Sequence, residues 1–156
     1  MSYMLHYDGE PELVLSFMLS GDDLDPVLIT EMLGHEPDEA WKKGDPWREE
    51  PGSRLRRRPP HMFGRWAILP RCSRHDPFET QVTQLLEQLE ALPPVLAELT
   101  RTYTATISVG YASGEENIQF WLDSSAMQRL ARLNLAIWFD IYATANASDD
   151  GNTEDT

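Results

Sequence analysis

The chain has 156 residues, of which 41% are hydrophobic, and its 26 acidic residues against 13 basic ones give a net charge of −13. This length suits one domain with its own core, and the negative charge repels nucleic acid and anionic membranes. The single cysteine, Cys72, excludes an intramolecular disulfide framework and favours a reducing compartment. Because the sequence shows no secretory signal pattern and no apolar run long enough to span a membrane, we expect a cytoplasmic protein.

The first predicted elements are a strand and a capped helix. Glu12–Ser20 is an apolar run without interruption, as in a strand covered on both faces. Asp25 followed by Pro26 is typical of a helix start, and Gly34 is typical of its end. Glu36–Trp41 is predicted to be an extended segment or a turn.

A long basic loop is predicted next, at about 42–62. Ten of the thirteen basic residues lie between Lys42 and Arg74, so the rest of the chain is more acidic than the average indicates. The loop is rich in proline, glycine and arginine and has no apolar periodicity, which is typical of an exposed segment. Its most concentrated part holds Arg54, Arg56, Arg57 and Arg58.

The remaining elements alternate between strands and helices. Gly64–Pro70 is predicted to be a strand, and Pro77–Leu92 has the clearest helical spacing of apolar residues, with Asp76 as its cap. Thr102–Tyr111 alternates as a strand does, and Ile118–Leu122 is expected to pair back on it as a hairpin. A helix capped by Asp123 and a last strand, Leu135–Ala143, follow; in that strand Phe139 and Ile141 share the face expected to be buried.

This order of elements predicts the α+β class. From Gly64 onward it runs strand–helix–strand–strand–helix–strand, the order of a ferredoxin-like antiparallel sheet with helices on one face. An N-terminal strand–helix unit is added to it. We therefore expect a single domain over residues 1–145, followed by a disordered acidic tail at 146–156.

Several of these segments together resemble the bacterial DUF4279 family of domains of unknown function. They are the apolar strand that enters Gly21-Asp22-Asp23, the helix that ends at Leu33-Gly34, the segment Pro37–Gly44, Trp66, and the closing Phe139–Tyr142. The resemblance covers the chain from about Leu13 to Tyr142. It implies a small bacterial domain and supplies no activity or catalytic residue. The loop Arg48–His61 is longer and more basic than the family leads us to expect.

Two groups of residues are candidates for a metal site. Asp22, Asp23 and Asp25 lack the regular spacing, central glycine and closing glutamate of a calcium loop, so helix capping explains them better. Cys72 and His75, with His61, fall short of the paired spacing of a zinc site. We therefore predict no metal or other cofactor. Cys72 also lacks a glycine-rich elbow around it, so the sequence predicts no catalytic residue.

The basic loop is the candidate binding site. Arg54, Arg56, Arg57 and Arg58, with Trp47, could hold an anion or a partner, whereas the plainer interpretation is a solvated loop that balances an acidic body. Trp47 could serve as an exposed interface anchor or fold back onto the sheet. The other tryptophans lie in or beside apolar runs and are predicted to be in the core: Trp41, Trp66, Trp121 and Trp138.

The function expected from these features is non-catalytic. We expect a cytoplasmic interaction module that binds another protein, of the inhibitor or immunity type, because a strong net charge speeds the capture of oppositely charged partners. Nucleic acid and membranes are not expected as partners, and self-association is left open. The alternative is an enzyme or small-molecule-binding domain in which the arginine loop holds an anionic ligand.

Overall fold

The computed structural model of the chain describes residues 12–48, 58–113 and 119–143. Three of the predicted site residues, Arg54, Arg56 and Arg57, lie outside the described residues, as does the predicted acidic tail. The described elements, in chain order, are β1 (Leu13–Gly21), α1 (Pro26–Leu33), β2 (Glu39–Trp41), β3 (Gly64–Ile68), α2 (Phe78–Glu90), α3 (Leu96–Thr102), β4 (Thr104–Ser113), α4 (Ser124–Arg132) and β5 (Ala136–Ala143).

The five strands form one mixed sheet in the order β2-β3-β1-β4-β5. The pairs β1–β3, β1–β4 and β2–β3 are antiparallel, and β4–β5 is parallel, with α4 as the crossover between the two strands. The predicted α+β class is confirmed. The sheet differs from the expected antiparallel one at β5, because a strand that follows a helical crossover returns in the same direction as its neighbour.

The hairpin expected over Ile118–Leu122 is wrong for the described residues 119–122, which form no strand. The side chains of Phe120 and Leu122 instead pack against the core from a loop that leads into α4. The edge of β4 that the hairpin would have occupied pairs with β5 instead.

The strands expose two chemically different faces. In β1 the alternate residues Leu13, Leu15, Phe17 and Leu19 are buried, and they belong to one cluster with the apolar sides of the helices. Trp66 of β3 lies opposite Leu19 in the register, and its Nε1 donates to Thr30 Oγ1 of α1 at 3.0 Å. This face is the core. The intervening residues of each strand lie on the opposite face, which we call the open face.

The ends of the helices test the predicted caps. Asp25 accepts a hydrogen bond from Val27 N and Asp123 accepts one from Ala126 N, so both caps are confirmed. The cap predicted at Asp76 is wrong, because Pro77 occupies the N-cap position of α2. The Asp76 carboxylate accepts from Ser73 N at 2.9 Å and is used in the preceding turn.

Gly64 begins β3 where the chain passes closest to the loop after β1. A Cβ atom at this position would lie 2.7 Å from the carbonyl oxygen of Leu24. Only glycine fits such an approach without moving the backbone, so this residue fixes the start of β3 against the entry to α1.

Candidate functional site

The open face carries a cavity of about 190 Å³ that spans the sheet. Every strand contributes to it, because the register places alternate residues of neighbouring strands side by side. The lining residues are Val14, Ser16, Asp38, Glu39, Trp41, Trp47, Arg65, Ala67, Leu69, Ser108, Gly110, Asp140 and Tyr142.

An ion pair lies in the wall formed by β2 and β3. Arg65 Nη2 is 3.3 Å from Glu39 Oε2, and both side chains are mostly buried. Burial raises the pKa of the Glu39 carboxyl, and the nearby Arg65 opposes that rise. Burial likewise lowers the pKa of the Arg65 guanidinium, against the effect of Glu39. Arg65 Nε is buried and has no hydrogen-bond partner.

An aromatic cluster of Trp41, Trp47 and His61 borders the cavity. The His61 ring lies 4.0 Å from Trp41, nearly parallel to it, and 4.0 Å from Trp47. The Arg65 guanidinium lies over Trp41 at 5.1 Å. Burial lowers the pKa of His61, so the neutral imidazole is favoured within the cluster. Trp41 Nε1 is buried without a hydrogen-bond partner.

Backbone hydrogen bonds tie the two ends of the basic loop together beneath this cluster. Gly44 N donates to His61 O at 2.8 Å, and His61 N donates to Asp45 O at 3.0 Å. Trp47 Nε1 donates to Pro59 O at 2.9 Å. The described ends of the loop are thus fixed to the sheet, and they hold the aromatic cluster in place.

Two further carboxylates line the cavity. Asp38 Oδ2 accepts from Leu69 N at 2.7 Å, and Asp140 Oδ2 accepts from the hydroxyl of Tyr142 at 2.7 Å. The hydrogen bond to Asp140, followed by its charge, raises the pKa of Tyr142. With Glu39, three carboxylates and one guanidinium, that of Arg65, therefore line the cavity among the residues that the structure describes.

The structure brings together two of the predicted site residues. The Arg58 guanidinium lies 5.1 Å from the centre of the Trp47 ring, within cation–π distance. Trp47 folds back onto the sheet, which was one of its two predicted positions. The sequence interpretation assigns no role to Glu39 or Arg65. It predicts Trp41 in the core and names His61 only beside Cys72 and His75, whereas Trp41 lines the cavity and stacks on His61. The available signal is the one charged residue in each of these short strands, Glu39 in β2 and Arg65 in β3, and the sequence leaves the segment of β2 open as extended or turn.

The aspartates considered as a cation site have other partners. Asp25 caps α1 and pairs with Lys42 at 2.7 Å, and Asp22 pairs with Lys43 at 2.7 Å. Within residues 12–48, 58–113 and 119–143, no three His, Cys, Asp or Glu residues are grouped so that they could hold a metal. Burial, assisted by Asp76, raises the pKa of Cys72, which disfavours the thiolate that a nucleophile requires.

The last strand exposes large apolar side chains. Trp138 is 59% exposed, Tyr142 is 55% exposed on the same open face, and Ile141 is 55% exposed on the other face. Trp121, in the loop before α4, is 66% exposed. The prediction that Trp121 and Trp138 belong to the core is therefore wrong, whereas Trp66 is fully buried as expected. An edge strand has a neighbour on one side only, so less of it is covered.

These features define an α+β domain whose sheet carries its helices on one face and a polar cavity on the other. The chain belongs to the DUF4279 family, described as a domain of unknown function, whose sequence profile matches residues 11–144. Searches of curated proteins and of solved structures gave no match. The helices in the described part of the chain are too short or too polar to cross a lipid bilayer.

Proposed function

We propose that this protein is a cytoplasmic, non-catalytic module of the inhibitor or immunity type, which binds another protein through β5. The observation that carries the proposal is the exposure of Trp138, Ile141 and Tyr142 on one edge strand. Large aromatic residues dominate the binding energy of protein interfaces. Leaving these apolar side chains in contact with water is unfavourable in free energy, so a partner that covers them gains from their burial.

The backbone of β5 supports the same proposal. β5 pairs with β4 on one side, and no other strand of the described chain pairs with its outer edge. The outward-facing N–H and C=O groups of an edge strand are a template for an extended segment of another chain. A partner strand could form backbone hydrogen bonds along this edge. Its side chains could contact Trp138 and Tyr142 on the open face and Ile141 on the other face.

Charge decides the chemistry of the partner. With a net charge of −13, the domain attracts a cationic protein and speeds its association. A second copy of the same chain carries the same charge and is repelled, as is nucleic acid. We therefore infer a basic partner protein with an extended apolar segment.

The competing proposal, an anionic ligand held by the arginine loop, has one observation in its favour. Arg58 lies over Trp47 at the border of the cavity, where it could contact a bound anion. Against it, the carboxylates of Asp38, Glu39 and Asp140 line the same cavity and repel an anion. The protein-binding function is therefore better supported.

Affinity capture with a double variant, Trp138→Ser with Ile141→Ser, tests the proposal. These side chains are exposed and neither lines the cavity, so the variant should fold and lose the partner that the wild-type chain captures. The matched control is Val27→Ser with Leu28→Ser on α1, which also removes two exposed apolar side chains and should retain the partner.

The captured protein is identified by mass spectrometry and its complex is reconstituted from purified components. A basic partner whose binding is lost only in the β5 variant supports the proposal. Equal capture by both variants contradicts it. A wild-type dimer in sedimentation that the β5 variant abolishes would also contradict it, because a second copy would then cover the edge.

A further inference from the structure

We propose that the cavity on the open face binds a small, neutral, polyhydroxylated ligand such as a single sugar unit. The cavity lies on the opposite face of the sheet from the core, and its lining combines hydrogen-bond donors, hydrogen-bond acceptors and aromatic rings. The cavity and the proposed β5 interface share Tyr142, but the inference does not rest on the protein partner of β5, because Trp138 and Ile141 lie outside the lining.

Two buried donors in the cavity wall require an acceptor. Trp41 Nε1 and Arg65 Nε are both shielded from solvent and have no hydrogen-bond partner, although both residues line the cavity. Buried donors are nearly always paired in folded proteins, and those left unpaired need a ligand or an ordered water. A ligand oxygen that reaches these N–H groups, after a small shift of the side chains that shield them, removes that deficit.

The carboxylates impose the opposite requirement. Asp38, Glu39 and Asp140 accept hydrogen bonds, so a ligand beside them should donate. Among the described residues of the lining, a ligand anion would meet three carboxylates and one guanidinium, which disfavours it. A ligand cation would suit the carboxylates, but it would face Arg65 and leave both unpaired N–H groups without an acceptor. Hydroxyl groups both donate and accept, so a neutral polyol satisfies the two requirements together.

The aromatic residues of the lining can pack against the apolar faces of a sugar ring. A sugar ring presents C–H groups on its faces, which pack against aromatic rings, and Trp47 and Tyr142 lie at the border of the cavity. The Trp47 ring is held by its hydrogen bond to Pro59 O and by its contact with His61. This wall is therefore formed before the ligand arrives, which reduces the entropy lost on binding.

The volume limits the ligand to a small molecule. About 190 Å³ is below the range of roughly 300–1,000 Å³ typical of sites for drug-sized ligands. It suits one ring with its hydroxyl groups rather than a chain of several. Ser16 and Ser108 lie in the lining, where their hydroxyls could complete the polar contacts.

NMR titration of the full chain tests the proposal. The probes are D-glucose, D-galactose, D-ribose and myo-inositol, with sodium acetate and methylammonium chloride as the anionic and cationic comparisons. We expect at least one neutral probe to shift the indole N–H signal of Trp41 in a saturable manner at millimolar concentration. The Trp138 signal, which belongs to the same face outside the cavity, should shift less.

Trp41→Phe is the decisive variant, with Trp138→Phe as its matched control. Trp41→Phe keeps an aromatic wall and removes a donor that has no partner, so it should unfold at the same temperature as the wild type and bind the probe about five- to tenfold more weakly. Trp138→Phe should bind it as the wild type does. In the titration of the wild-type chain, no saturable shift with any neutral probe, or stronger binding of acetate or methylammonium, would overturn the proposal. Undiminished binding by Trp41→Phe would overturn it as well.

Discussion

Individual residues of the cavity wall show how burial and neighbouring charges compete. Glu39 and Arg65 are paired, yet burial shifts the pKa of each toward its neutral form more strongly than the partner opposes the shift. Desolvation of a partly buried ion pair commonly exceeds the attraction between its members. The pair is therefore weak evidence for stability and better understood as a fixed polar contact at the edge of the cavity.

His61 makes the stability of the protein depend on pH. Burial lowers its pKa, Asp45 opposes this by raising it, and Arg65 adds to the lowering. The unfolded chain then binds a proton more readily than the native one, so stability contributed by His61 is present above about pH 6.5 and is lost as the pH falls below that value. The raised pKa of Glu39 acts in the opposite direction.

The comparison of His61→Phe with the wild type separates these effects, because Glu39 is present in both. The variant keeps a ring against Trp41, so it should lose less unfolding free energy than the wild type between about pH 7 and about pH 5.5. Urea unfolding at the two pH values measures the difference. His75→Gln, at an exposed position, controls for the loss of a histidine elsewhere. Parallel losses in the wild type and His61→Phe would show that His61 is protonated equally in both states.

Gly64 should tolerate substitution less well than the glycine paired with it. Gly64→Ala brings a Cβ within 2.7 Å of a backbone oxygen of Leu24, and a forced shift of this kind costs about 1–3 kcal/mol. At Gly21 the new atom would meet the ring of Tyr103 at 3.0 Å, and a side chain moves more easily than backbone. Denaturant unfolding of the two variants should therefore rank Gly64→Ala as the less stable. The reverse ranking would contradict this account.

At the scale of elements, β5 is the least buried strand, and its residues should be tested individually. Phe139 contacts Phe78 and Phe120 but remains 40% exposed. We expect Phe139→Ala to destabilise the protein by about 1–2 kcal/mol, below the 3–5 kcal/mol typical of a buried phenylalanine. Ile107→Ala, on the fully buried part of β4, should cost about 2–5 kcal/mol. Equal losses would mean that β5 is as well packed as β4.

The sequence predicts individual helices and strands better than it predicts which strands lie side by side in the sheet. The limits of α1 follow from Asp25, Pro26 and Gly34, because capping and left-handed backbone are local properties. The parallel position of β5 depends on which strand the chain reaches after α4, and no local pattern contains that information. The sequence predicts Trp138 in the core for the same reason, since a strand at the centre and a strand at the edge of a sheet can have the same apolar pattern.

The cavity and the aromatic cluster beside it could not be predicted, because their residues are far apart in the chain. Trp41, His61 and Arg65 come from β2, the end of the basic loop and β3, and only the strand pairing brings them together. The contact between Trp47 and Arg58 could be anticipated from composition. The role of Glu39 could not, because burial of a carboxylate is decided by the tertiary structure.

At the scale of the whole molecule, charge repulsion should outweigh the exposed ion pairs. Lys42–Asp25 and Lys43–Asp22 lie on the surface, and pairs of this kind contribute about 0–1 kcal/mol each. A net charge of −13 destabilises the compact state through self-repulsion, which salt screens. Raising NaCl from about 0.01 M to about 0.15 M should therefore raise the melting temperature.

The expected rise is about 2–4 °C, the shift that about 1 kcal/mol produces in a domain of this size. Differential scanning calorimetry measures it, and the same ionic strength series in potassium chloride controls for specific ion binding. A lower melting temperature at the higher salt concentration would mean that the ion pairs outweigh the repulsion.

The first strand of the described chain, β1, is the central strand of the sheet, and this position affects how the protein folds. β1 pairs with β4 across a separation of about 90 residues, so its second neighbour is synthesised long after β1 leaves the ribosome. Until then Leu15, Phe17 and Leu19 lack their partners on β4. The chain loses the entropy of closing this long loop before the contacts between β1 and β4 can form, and this makes folding slow. The nascent chain should therefore depend on chaperones until β4 has emerged.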